Sequence, residues 1–306
     1  MHNRYCVCVY KRTIKLLKFI HSFSFRLSLC ISLRSPQPNV LPTYPAKVLR
    51  SGCPSCCNPS LRKGADVNAT TQDGETPMSS LAFLVKEALE SSVEDAKEIG
   101  HFCTHVAHLL ISHGAGPSCC LSATDGEVWE HSLTYTSLEN FDLLFPLTVL
   151  LLQHSASFVC SHHSASYWTG PQLIFTRLAE ALREAVDAAE VADVLAKAEV
   201  LLDLARICSP AIPPLFPRSQ LPVLEQGSIH EPLLELYGKL EERESQPMPL
   251  RCLCRRLIRN CLLPWPFEEK VKALPLPDRL KDLLLPENSW KNRAGWDRFK
   301  PRGSSH

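Results

Sequence analysis

The chain has 306 residues, with 33 Lys and Arg against 32 Asp and Glu, 45% hydrophobic residues and 21% charged ones. That length can bury one extended or two compact cores, and a formal net charge of +1 gives no general attraction for nucleic acid or anionic lipid, so the expected partners are proteins. The fourteen cysteines are scattered through helical patterns and no cleavable signal peptide precedes them, so the thiols are expected to be reduced.

Residues 1–60 form an atypical leader, basic at Arg4, Lys11, Arg12, Lys15, Lys18, Arg26 and Arg34, with the first acidic residue only at Asp66. The apolar run over residues 14–33 is interrupted by Lys15, Lys18 and Arg26 and makes a poor membrane span. A basic, acid-free composition fits a mitochondrial transit peptide superficially; the reading preferred is an unstructured leader or an alternative first exon. Cys53, Cys56 and Cys57 lack the second Cys or His pair that zinc needs, so no metal site is assigned.

The first ordered signal is Gly64 and Ala65 followed by Asp73 and Gly74, then Thr76 and Pro77. Gly tolerates positive φ after a helix, Asp-Gly suits a tight turn, and Pro belongs in a first helical turn. These residues resemble the junction between ankyrin repeats. Val106, Leu109, Leu110 and Ile111, running into Gly114 and Ala115, repeat the end of a second helix about fifty residues later, against a usual period near 33, which implies an insertion; the charged stretch over residues 86–98 is expected to lengthen the helices. A degenerate copy runs from Asp125 and Gly126 to Ser155 and Ala156, with Ser155 standing where Gly is expected. A further copy runs from Thr169, Gly170 and Pro171 through a helix over 188–206. Pro54 and Pro59 break the helices that should precede Gly64, so the chain enters the array in mid-repeat, as an N-terminally altered variant of a longer protein would.

A Pro-rich connection with Pro210, Pro213, Pro214 and Pro217 then ends the array, and with a short helix over about 229–244 it fills residues 209–245. Between 250 and 261 the apolar residues Leu250, Leu253, Cys254, Leu257, Ile258 and Cys261 share one helical face, with Arg251, Arg255, Arg256 and Arg259 on much of the rest. Taken alone, such a stripe packs into the protein's own core. Leu274, Pro275, Leu276 and Pro277 follow, then Leu280, Leu283 and Leu284.

This order of motifs resembles the SOCS box, and the chain from 61 to 285 is similar to the ankyrin repeat and SOCS box family. The resemblance implies an all-α fold: degenerate ankyrin repeats over 61–208 forming a solenoid and a three-helix SOCS box over 246–285; the tail over 286–306, with Trp290, Trp296 and a run of basic residues, is expected to be flexible. It implies that Leu250, Leu253, Cys254, Leu257 and Ile258 bind Elongin B/C, and that Leu274, Pro275, Leu276, Pro277 and Leu280 select Cullin-5 with its RING protein. A segment of about forty residues can hardly bury a core alone, so an exposed stripe calls for a partner groove. The function expected is a non-catalytic, cytoplasmic substrate receptor that promotes ubiquitination and degradation of an unidentified target; the alternatives are a non-degradative scaffold or a truncated competitor of a longer receptor. There is no Gly-rich phosphate loop, nucleophile elbow or His-Glu-x-x-His site, and no cofactor is expected. His101, His105 and His108 lie on one helical face without a carboxylate to complete a metal site.

Overall fold

A computed structural model describes residues 66–69, 76–117, 132–160, 168–209, 212–222, 231–262 and 267–285. The basic leader, Cys53, Cys56 and Cys57, Gly64 and Ala65, Asp73 and Gly74, Asp125 and Gly126, Pro210 and the tail lie outside the described residues.

Helix α1 (Pro77–Ser91) begins at a reciprocal cap. Ser79 donates its backbone N–H to Thr76 Oγ1 at 3.1 Å, while the Thr76 N–H donates to Ser79 Oγ at 2.8 Å, and Pro77 needs no donor in the first turn. Ser92 alone joins α1 to α2 (Val93–Ser112). Its N–H donates to Ala88 O, closing α1, and its Oγ accepts from the Asp95 N–H, opening α2. The charged stretch over 86–98 thus forms the end of one helix and the start of the next.

Helix α2 ends on a left-handed residue, Gly114, with φ 97°. The Gly114 N–H donates to Ile111 O and the Ala115 N–H to Leu110 O, both at 2.9 Å, satisfying carbonyls that the helix end would leave open. After α3 (Leu133–Glu139), α4 (Phe145–Gln153) ends in the same way: Ser155 has φ 62°, its N–H donates to Leu152 O at 2.9 Å, and Ala156 N–H donates to Leu151 O at 3.0 Å. Ser155 therefore does take the backbone shape that favours Gly. Asn68 reaches from the preceding loop to the Gly114 turn, donating to Gly114 O at 3.0 Å and accepting from the Gly116 N–H at 3.3 Å, which ties successive loops together.

Strands β1 (Val159–Cys160) and β2 (Trp168–Thr169) form an antiparallel two-stranded ladder. It leads into α5 (Gly170–Glu184), capped by Thr169, and α6 (Ala188–Cys208), capped by Asp187. Pairs α1–α2, α3–α4 and α5–α6 stack as a solenoid. Its core divides along α4: Leu147, Leu150 and Leu151 pack with Leu81, Val106 and Leu110, whereas Phe145, Val149 and Leu152 pack with Phe141, Phe175, Leu201 and Leu204. A helix apolar on every side, as α4 is, belongs at the centre of such a stack.

The Pro-rich stretch is no loose connection. Phe216 and Leu221, on either side of a 3-10 turn (Arg218–Gln220), are buried in the second core with Tyr237 of α7 (Glu231–Ser245). Phe175, Phe216 and Tyr237 meet edge to face with centroids 5.6–5.8 Å apart, and the Tyr237 hydroxyl donates to Phe216 O at 2.7 Å. Prolines here set an extended path that brings an aromatic residue back over the last repeat, so the segment closes the exposed end of the array. Arg243 of α7 strengthens the closure through Asp203 of α6 at 2.6 Å.

Three helices complete the described chain: α8 (Leu250–Leu262), α9 (Phe267–Ala273) and α10 (Asp278–Leu284). Their own core is small, built on Phe267, Val271 and Leu284, with Ile258, Leu262, Leu274, Leu276 and Leu285 packed against it. No helix among the described residues is long and apolar enough to cross a membrane.

Candidate functional site

The amphipathic helix α8 is mounted in the opposite sense to an ordinary surface helix. Leu250 is 75% exposed, Leu257 65% and Leu253 44%, and Cys254 and Cys261 are also exposed. Facing inward instead are Cys252, Arg255, Arg256 and Arg259, spaced i, i+3, i+4 and i+7, toward a body to which α8 is joined mainly through α6. Of the four arginines Arg259 is buried, Arg255 and Arg256 are half-buried and Arg251 is exposed, and the apolar stripe left in water on the other side is a surface suited to a partner. Ile258 departs from the expected common face: it turns into the small core beside Phe267.

Arg259 lies on the polar side, as the spacing gives it, but that side turns inward and Arg259 is 1% exposed. Its Nη1 donates to Leu284 O at 2.7 Å, its Nη2 donates to Gln153 O and, at 3.3 Å, to Ser155 Oγ, and its guanidinium stacks 4.2 Å from the Phe267 ring centroid. Gln153 and Leu284 are the last residues of α4 and α10, where helix-end carbonyls carry partial negative charge. The guanidinium thus finds three acceptors and an aromatic face at one buried point.

Around it the titratable groups are shifted. Burial, aided by the positive charges of His108 and Arg259, lowers His154 to about 3, so its imidazole is neutral near pH 7. Burial raises the Cys208 thiol, with Arg259 and Arg255 pulling the other way. Burial also lowers Arg255 below the ordinary guanidinium value.

Leu274 and Leu276 are half-buried against the three-helix core, and the Leu276 N–H donates to Leu274 O at 2.8 Å. Pro275, Pro277 and Leu280 are exposed, and Pro277 caps α10 by accepting from the Leu280 and Lys281 N–H groups. Thr76, Pro77, Gly114 and Ala115 serve the helix caps described above. His101, His105 and His108 are exposed along α2, with His105 Nδ1 2.9 Å from His101 O. Among the described residues no group of three His, Cys, Asp or Glu side chains could hold a metal ion.

Residues 246–285 match the SOCS box family. Human Ankyrin repeat and SOCS box protein 6 is 43% identical over 233 residues, covering 75% of this chain and 52% of that protein. The mouse protein of the same name is 42% identical over 219 residues, covering 70% of this chain and 49% of that protein. The orangutan (Pongo abelii) protein is 42% identical over 233 residues. The chain spans about half the length of the curated relatives it matches.

Proposed function

Because the chain belongs to the ankyrin repeat and SOCS box family, we propose that it is a non-catalytic substrate receptor of a Cullin-5 RING ubiquitin ligase. In this reading the repeats over 61–208 hold a target protein, and the box over 246–285 docks to Elongin B/C and the cullin. The outward apolar face of α8 is the observation that carries it. Leu250, Leu253 and Leu257 remain in water although the same helix has an inward side, where arginines have been accepted instead. Burying three leucines in a partner groove is worth roughly 1.5–3 kcal/mol each at full burial, enough to reward a helix-in-groove complex. Cys254, exposed between them, supplies a small soft contact where a larger side chain would clash.

Leu274, Pro275, Leu276, Pro277 and Leu280 are the residues assigned to Cullin-5, with Pro275, Pro277 and Leu280 exposed and Leu274 and Leu276 half-buried. A reducing, cytoplasmic setting is part of the same reading. No cofactor is required, because ubiquitin transfer takes place on other subunits.

Affinity purification of the tagged chain tests the reading. Wild type should recover Elongin C and Cullin-5, Leu250→Asp/Leu257→Asp should lose both, and Pro277→Ala/Leu280→Ala should lose mainly Cullin-5. Both variants alter exposed side chains and should melt like wild type. Wild type that is folded and recovers neither protein would refute the receptor reading; recovery of both without ubiquitin transfer to any bound target would make the chain a scaffold or a competitor of a longer receptor.

A further inference from the structure

We propose that Arg259 is a positioning residue that, with Ser155 as its receptacle, locks the SOCS box to the repeat array at one orientation. The inference rests on the receptor reading above for its consequence, but its geometry stands on the chain alone. Arg259 lies on α8, while Gln153 and Ser155 lie at the end of α4, more than a hundred residues earlier. The same guanidinium reaches Leu284 O at the end of α10. One planar fork with its donors in fixed directions therefore joins two SOCS-box helices to the central helix of the array. A lysine could supply the charge but could not set that angle.

Ser155 is the second, independent observation. It occupies a left-handed turn, φ 62°, at the place where the preceding repeat has Gly114. Glycine adopts this conformation freely and serine does not, yet serine brings what glycine lacks, a hydroxyl, and that hydroxyl accepts from Arg259. The departure from the repeat pattern falls where the SOCS box lands. Phe267 closes the far side of the guanidinium, so the contact is shielded from water and from salt. A receptor built this way presents its target and its Elongin-binding stripe at a set angle, and the ligase reaches a restricted zone of target lysines rather than sweeping freely.

Intramolecular energy transfer on the full chain tests this, using donor and acceptor fluorophores on unnatural amino acids at the exposed positions Lys97 of α2 and Glu269 of α9. Wild type should give one narrow distance distribution. Arg259→Met should broaden it at least twofold, Arg259→Lys should broaden it less, and Elongin B/C affinity should stay within about twofold in both. Ser155→Gly, which keeps the turn and removes the hydroxymethyl side chain with its hydroxyl, should broaden the distribution modestly, and adding it to Arg259→Met should cause no further broadening. Should Arg259→Met not fold, Ser155→Gly and Arg259→Lys carry the comparison. Unchanged widths in these variants would overturn the lock, as would an Elongin B/C affinity that falls with Arg259→Met as far as it does with Leu250→Asp/Leu257→Asp. Wild type that fails to bind Elongin B/C would end the ligase reading while leaving the distance result to decide the lock.

Discussion

Helices α4 and α8 are both short and both rich in leucine, yet they relate to the molecule in opposite ways. Helix α4 buries Phe145, Leu147, Val149, Leu150, Leu151 and Leu152 on two sides, in two cores, among the protein's own residues. Helix α8 leaves Leu250, Leu253 and Leu257 outside and buries Arg259. The centre of the array is therefore packed among the chain's own residues, whereas α8 turns Arg259 onto the array and leaves its leucines uncovered. Helix α4 has no charged residue and is apolar all round, whereas α8 carries four arginines, and it is the direction in which the α8 leucines point that leaves them in water.

The largest expected effect lies in the array. Phe175→Ala removes the ring against which Phe216 and Tyr237 pack and should cost about 3–5 kcal/mol in urea unfolding. Next comes Arg259→Met, which strips the carbonyls at the ends of α4 and α10 of a charged donor and should cost about 2–3 kcal/mol. Hydrogen exchange should localise that loss to α4, α9 and α10 and spare α1 and α2.

Acid should act at the same junction. His154 is held at about 3 in the folded chain against an ordinary value near 6.5, so the unfolded chain binds a proton that the folded chain refuses. Stability should fall as pH drops below about 6.5, by roughly 1.4 kcal/mol per unit, until the folded value is reached. Between pH 7 and pH 5 that amounts to about 2 kcal/mol, and His154→Gln should remove this part of the slope. A slope unchanged in that variant would mean that other groups dominate acid sensitivity.

Ser155→Gly should change stability by less than about 1 kcal/mol, because relief of the left-handed backbone offsets the lost hydrogen bond. Smallest of all is Leu257→Ala, within about 0.5 kcal/mol on the isolated chain. Its effect belongs to Elongin B/C binding, which it should weaken at least tenfold by titration calorimetry. A large loss of stability in Leu257→Ala would show the stripe to be internal core, and the contrast with α4 would collapse.

Much of the site was legible because caps and turns are local. Thr76 with Pro77, Gly114 with Ala115, and Ser155 in the place of glycine follow from backbone chemistry within a few residues, and each takes the expected conformation. The helical spacing of Leu250, Leu253 and Leu257 was equally local. Periodicity establishes that a helix has two faces but not which one turns inward, and it placed Ile258 with the leucines of the stripe and Arg259 on the opposite side with the other arginines. The Pro-rich stretch read as a connection because prolines exclude a helix, and no local signal announced that Phe216 returns to the last repeat.

Sequence alone thus determined the caps, the turns and the two-faced helix over 250–261, since these rest on residues near one another in the chain, while the helical solenoid and the three-helix SOCS box were read through resemblance to the family. Tertiary structure decided the orientation of α8, the burial of Arg259 against Gln153, Ser155 and Leu284, and the closing of the array by Phe216 and Tyr237. The physical reason is one of range. A buried cation is tolerable only where acceptors converge on it, and those acceptors come from positions so far apart in the chain that no spacing rule relates them.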